Sequence, residues 1–222
     1  MFTEPKIQDI KIDSVLSPKQ IAKLYFKPKA FFLMFAKLDM QYIHFATYLV
    51  AVFFVMDRID IRILTALASD TPNYSSYSFV LENWLNYWFT VTGIGAVASF
   101  VVWFFYGWWY ELRLKWCGVQ KPDSTLVRQV NVMQWFIVAL PVILVTIIQT
   151  FIYDNYLNTF FSDELLSSFV ISFFSIYSCW SSYVATKVLF SADKRAILWF
   201  LILPLASYVL AIIALLKAFT GS

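Results

Sequence analysis

Residues 130–153, VNVMQWFIVALPVILVTIIQTFIY, contain no charged side chain. A helix of about 20 apolar residues covers the roughly 30 Å hydrocarbon core of a bilayer, so this stretch predicts a membrane span. Residues 85–109, 165–186 and 196–216 read the same way. Residues 40–56, bounded by Asp39 and Asp57, are shorter and reach full thickness by extending into the flanking turns. In lipid each span must satisfy its own backbone hydrogen bonds, which selects helices, and the alternation of a barrel strand is absent. The sequence therefore predicts an all-α membrane protein. A five-span helical bundle over residues 40–217 follows a cytosolic or interfacial segment at 1–39.

The composition agrees. Of 222 residues, 60% are hydrophobic and 14% are charged, where a soluble domain has about 25% charged. The aromatic share of 20% suits the headgroup zone, where Tyr and Trp sit half dry. A net charge of +3, thinly spread, does not point to nucleic acid. Cys117 and Cys179 are the only cysteines, one in a basic loop and one in an apolar stretch, which gives no disulfide framework. No early apolar run is present, so no cleavable signal peptide is expected.

Basic residues set the orientation. Residues 1–39 hold seven Lys and Arg, 110–129 hold four and 187–195 hold three. The 57–84 loop has only Arg58 and Arg62, the 154–164 loop has none, and the tail has Lys217. With the N-terminus inside and the C-terminus outside, fourteen basic residues face the cytoplasm and three face away. Five crossings with positive loops inside require this alternation.

Ser17-Pro18 reads as an N-cap followed by Pro at the first helical position. Beyond it, Lys19, Lys23, Lys27 and Lys29 interleave with Leu24, Phe26, Phe31 and Phe32. That pattern predicts amphipathic helices on the cytoplasmic interface, apolar face down and lysines toward anionic lipid. Arg113, Lys115, Lys121 and Arg128 extend the same basic cytosolic surface. Asn73-Tyr74-Ser75 fits a glycosylation pattern, a short and weakly specific match.

Ser168, Ser172, Ser175, Cys179, Ser182 and Thr186 recur at spacings of four and three, which places them on one helix face. Two readings stay open: a packing seam of small residues, which is favoured, or the polar lining of a path. Gly95 and Ser99 have small-xxx-small spacing and predict a second close contact, with the serine seam as its natural partner. Pro141 and Pro204 each remove a backbone donor and predict kinks. His44 is the only histidine, so no haem or metal ligand set forms around it. No acidic residue is expected deep in a span. No nucleophile–base pair, zinc motif or phosphate loop is present, so no enzyme and no cofactor are predicted.

Phe26-Lys27-Pro28-Lys29-Ala30-Phe31-Phe32, then Lys115-Trp116-Cys117-Gly118 with Ser124, then Met133 to Leu140 leading into Pro141, and Arg195 to Trp199 running to Pro204 together carry a resemblance. The chain resembles the Yip family, the Ypt-interacting proteins and their bacterial relatives. The resemblance implies a polytopic protein without catalysis. Eukaryotic members bind Rab-type GTPases, but the acidic Asp-Leu-Tyr-Gly-Pro element is absent here, so no GTPase-binding residue is carried over.

The expectation is thus an interaction or scaffold protein that meets membrane lipids and another membrane protein or its own copy. It would lie in a bacterial inner membrane, with the ER or Golgi as the alternative. A small-solute permease or lipid-moving protein and an accessory subunit of a larger complex are the rival readings.

Overall fold

The computed structural model describes residues 17–35, 40–67, 78–162 and 164–220, and every regular element among them is helical. The glycosylation pattern at Asn73 falls outside these residues. The elements are α1 (Pro18–Phe26), α2 (Pro28–Phe35), α3 (Met40–Leu67), α4 (Ser78–Leu81) and α5 (Trp84–Val101). Then come α6 (Gly107–Trp116), α7 (Ser124–Ile152), α8 (Tyr156–Ser162), α9 (Glu164–Leu189) and α10 (Leu203–Thr220). Three helical stretches are long and apolar enough to cross a membrane: Trp84–Trp116, Ser124–Ile152 and Phe169–Leu189, with a shorter apolar helix at Leu198–Ala211.

Several boundaries differ from the sequence reading. The span placed at 40–56 continues as α3 through Asp57, Arg58, Asp60 and Arg62 to Leu67. Charge alone does not end a helix, and no Gly, Pro or Asn interrupts before the Asp70-Thr71-Pro72 stretch. The span placed at 85–109 joins α6 through a π turn at Val102–Tyr106 and runs to Trp116, so residues 110–116 are helix rather than loop. The 154–164 connection contains α8. Side-chain caps mark the starts: Ser17 Oγ accepts from the Gln20 N–H at 3.3 Å, and Asp123 Oδ1 from the Thr125 N–H at 2.8 Å.

The long helices alternate in direction. Trp84 Nε1 donates to the Tyr153 carbonyl at 2.7 Å, and the Tyr156 hydroxyl donates to Asp60. These bonds gather the end of α3, the start of α5 and the end of α7 at one pole. At the other pole the Asp193 N–H donates to the Cys117 carbonyl at 3.0 Å, joining the turn after α6 to the turn after α9. Gly118, at φ +85°, makes that turn possible; a Cβ there would sit 3.1 Å from Asp193 Oδ2. Cys117 is buried and free, and burial pushes its thiol up to about 11, with Asp193 adding to the effect.

At the centre, α3 packs on α5 and α7, and α7 packs on α9. At Gly95 the backbones of α3 and α5 come close: a Cβ there would lie 2.7 Å from Val52 Cγ2 and 3.2 Å from Val52 Cα. Its partner is thus α3, not the serine face of α9. Ser99 turns its hydroxyl back to the Gly95 carbonyl at 2.9 Å.

The N-terminal helices pack part of their apolar surface on protein, while Phe26 and Leu33 stay exposed. Leu24, Phe31, Phe32 and Phe35 are buried while Lys19, Lys27 and Lys29 are exposed, and α2 lies against α9. The Tyr25 hydroxyl reaches the middle of α7, donating to the Ile137 carbonyl at 3.1 Å and the Phe136 carbonyl at 3.3 Å. Ile137 precedes Pro141 by four residues, so its carbonyl has lost its helical donor, and Tyr25 replaces it. In turn the Tyr177 hydroxyl of α9 donates to the Tyr25 carbonyl at 2.6 Å, satisfying a last-turn acceptor of α1. Near Pro204 the helix takes a different course, with a π turn at Leu198–Ile202 directly before it.

Replacing Tyr25 with Phe should cost about 1 kcal/mol, the net worth of one such hydrogen bond. The cost should shrink in a Pro141→Leu background, where the helix supplies its own donor. Thermal unfolding of the four proteins in detergent measures this coupling. An equal cost in both backgrounds would refute the role assigned to Tyr25.

Candidate functional site

The α9 face holds both structural roles at different places. Towards the C-terminal end of α9, Ser182 is fully buried against α6 and α7: its hydroxyl donates to Gln134 Oε1 at 2.8 Å and lies 3.1 Å from the Tyr110 hydroxyl. Ser178 donates to the Gln134 carbonyl at 3.0 Å. Thr186, also buried, bonds within its own helix to the Tyr183 carbonyl. Ser178, Ser181, Ser182 and Ala185 are all buried, and their i, i+3, i+4, i+7 spacing is the ridge that packs on α7. Ser178 and Ser181 were missed because the even four-three series was followed instead of this heptad signal. The Ser168 side chain lies outside the described residues.

The other part of the face opens. Ser175 and Cys179 line a cavity of about 360 Å³, and the Ser172 hydroxyl beside it accepts from Tyr208 of α10 at 3.0 Å. Five helices contribute walls: Phe53 and Phe54 from α3, Trp109 from α6, Trp135 from α7, Ile171 from α9 and Leu205 from α10. Both π turns border it, since Tyr106 ends the first and Pro204 follows the second. A π turn re-aims the residues that follow it and is common beside functional sites.

Three polar groups on the wall define its chemistry. Arg113 is 9% exposed, where the sequence reading placed it on a cytosolic contact surface. The reason is helical phase. Lys115 and Glu111 form an exposed i,i+4 pair at 2.8 Å, and Arg113 lies between them in sequence, roughly 200° around the helix from each. Its guanidinium faces the rings of Phe200 (4.6 Å) and Tyr110 (5.1 Å), and Nη1 is 3.4 Å from the Trp199 carbonyl. Its Nε has no hydrogen-bond partner, and the ion pairs among the described residues are Lys115–Glu111 and Arg195–Asp193 only. Asn131, 1% exposed, likewise has an unpartnered Nδ2. Asp57, half-buried, is the acidic group on the wall; it also borders the groove between α3 and α5, where Arg58 stands. It lies in α3, which continues past the span end expected at Asp57.

The remaining basic residues stay outside the cavity. Lys19, Lys27, Lys29 and Lys121 are exposed, and Lys23 Nζ is 3.9 Å from Met34 Sδ. Arg128 lays its stem against Gly107 and its guanidinium 5.1 Å from the Phe104 ring centre. His44 rests against the Trp103 ring. Among the described residues no group of three His, Cys, Asp or Glu side chains is placed to hold a metal.

Substitution separates the two parts of the α9 face. Ser181→Leu should overpack the ridge and cost about 1–3 kcal/mol, whereas Ser175→Leu projects into open volume and should leave thermal stability within about 0.5 kcal/mol. Equal losses on unfolding would mean that Ser175 belongs to the ridge as well.

The chain matches no family model, no curated protein and no solved structure.

Proposed function

We propose that this chain is a non-enzymatic, five-span membrane protein that holds or moves a lipid-like molecule in the chamber at the centre of its bundle. One observation carries the reading: the chamber lies where α3, α6, α7, α9 and α10 meet, and polar side chains from α3, α6, α7 and α9 converge on it among apolar rings. Protein interiors pack to crystal density, and a scaffold needs no such void. A concave, mostly apolar site with a few convergent polar groups is the usual form of a ligand site, and about 360 Å³ falls within the range of such sites. The reading therefore moves from the interaction protein favoured by sequence to its lipid-moving alternative. The Yip-like resemblance and a bacterial inner membrane remain compatible with it.

The five crossings include α3 and the helix at Leu198–Thr220 beside the three longer ones, with the N-terminus in the cytoplasm. Supporting this are the opposed poles of the bundle and the Lys and Arg asymmetry, since the pole bearing Cys117 and Asp193 also bears Lys121, Lys194 and Arg195. Cysteines introduced at Lys121 and Asp154 should label from opposite sides of intact vesicles with a membrane-impermeant maleimide. Native Cys117 should add little background, because its raised pKa leaves scarce thiolate. Labelling of both sites from one side would overturn the five-span order.

For the chamber, protein purified in mild detergent should retain tightly held lipid, counted by extraction and mass spectrometry. Ser175→Phe, which fills the volume, should lose that lipid while keeping the wild-type unfolding temperature within a few degrees. Equal retention by both proteins, or none by either, would exclude the chamber as a lipid site.

A further inference from the structure

Resting on the chamber reading, we propose that the chamber takes an amphiphile with a singly charged oxyanion head, and that Arg113 and Asn131 hold that head. A buried guanidinium without a carboxylate is costly: the effective penalty for burying an ion is several kcal/mol, and a partner normally offsets it. Arg113 has aromatic faces and one long contact to a carbonyl, yet its Nε is unpartnered. Unpaired ionisable groups within a membrane bundle mark ligand paths. Asn131 gives a second, independent observation, with its Nδ2 unpartnered on the same cavity wall.

Two buried donors are left over on this wall, Arg113 Nε and Asn131 Nδ2, beside one carboxylate, that of half-buried Asp57. The acceptors of Gln134 are occupied: its Oε1 takes the Ser182 hydroxyl, and its carbonyl takes Ser178. A ligand that completes the site must bring acceptor oxygens and negative charge, which a guanidinium binds in fork geometry. The surrounding rings and aliphatic side chains, among them Phe54, Trp135 and Val138, exclude a fully hydrated ion and suit a hydrocarbon chain. Asp57 on the same wall disfavours a second negative charge, so the head is a monoanion: a phosphodiester or a carboxylate. Arg113 stands one turn before Cys117, at the pole that carries Lys121, Lys194 and Arg195. There a head remains near the polar boundary while its chain runs into the bundle, and the basic rim attracts anionic lipid.

The test is binding to the purified full chain in uncharged detergent by titration calorimetry, with four probes: lysophosphatidylglycerol, palmitate, lysophosphatidylcholine and inorganic phosphate. At least one of the first two should bind roughly tenfold or more tightly than lysophosphatidylcholine, and which one does so separates a phosphodiester head from a carboxylate. Inorganic phosphate should show no measurable heat. Arg113→Gln should erase the preference for the anionic head, and Asn131→Leu should weaken it several-fold. Arg113→Met should match or exceed the wild-type unfolding temperature, because an unpaired buried charge has been removed. If Arg113 variants fail to fold, Asn131→Leu alone decides, and unchanged affinity there overturns the proposal. So does equal binding of both lysolipids, or phosphate binding as tight as lipid. Equal lysolipid binding would leave the chamber reading standing, whereas no lipid binding at all would remove both.

Discussion

Inside a bilayer no water is at hand to satisfy a stray backbone group, and the carbonyl of Ile137 is one. Pro141 leaves it without the amide that a regular helix would supply. The Tyr25 hydroxyl fills the place, and Tyr177 then fills an open acceptor at the end of α1. Two phenols thereby tie the N-terminal helices, the proline-bearing helix and the serine-bearing helix into one unit. This constraint explains why a short lysine-rich helix pair sits against α7 and α9 with four apolar side chains buried. It also explains how a proline is accommodated near the middle of the uncharged part of α7.

The same economy of partners governs the centre of the bundle. Where α9 meets α7, small side chains allow close approach, and the buried hydroxyls of Ser178 and Ser182 find acceptors on Gln134, while that of Ser181 has none. One turn away the pattern breaks. The helices part around a cavity, two π turns border it, and the side chains of Arg113 and Asn131 each keep a donor unused. A cation and an amide are thus left open together on one wall, while the other unpartnered buried polar atoms among the described residues, on Gln20, Tyr87 and Ser181, lie off it. Functional sites are where such inconsistency is expected.

Much of the architecture was legible from residues 130–153 and their counterparts, because hydropathy over about 20 residues reports on span length directly. The N-cap at Ser17 and the helical character were equally readable, since each depends on local spacing. Arg113 was not. Counted as a loop charge, it belongs to a helix extended by seven residues beyond the predicted end, where phase and not charge decides that Lys115 faces out and Arg113 faces in. Asp57 and Asp60 were misplaced for the same reason: a charged residue was taken as a boundary although no helix breaker followed it.

Sequence alone determined the class of the molecule, since apolar length, aromatic content and the distribution of Lys and Arg are properties of single segments and need no partner. Tertiary structure decided what each polar residue does. Whether Ser175 packs or lines a cavity, whether Gly95 meets α3 or α9, and whether Tyr25 faces lipid or the Ile137 carbonyl all depend on which helix stands opposite. That choice arises from distant segments competing for the same neighbours, and no local pattern encodes it.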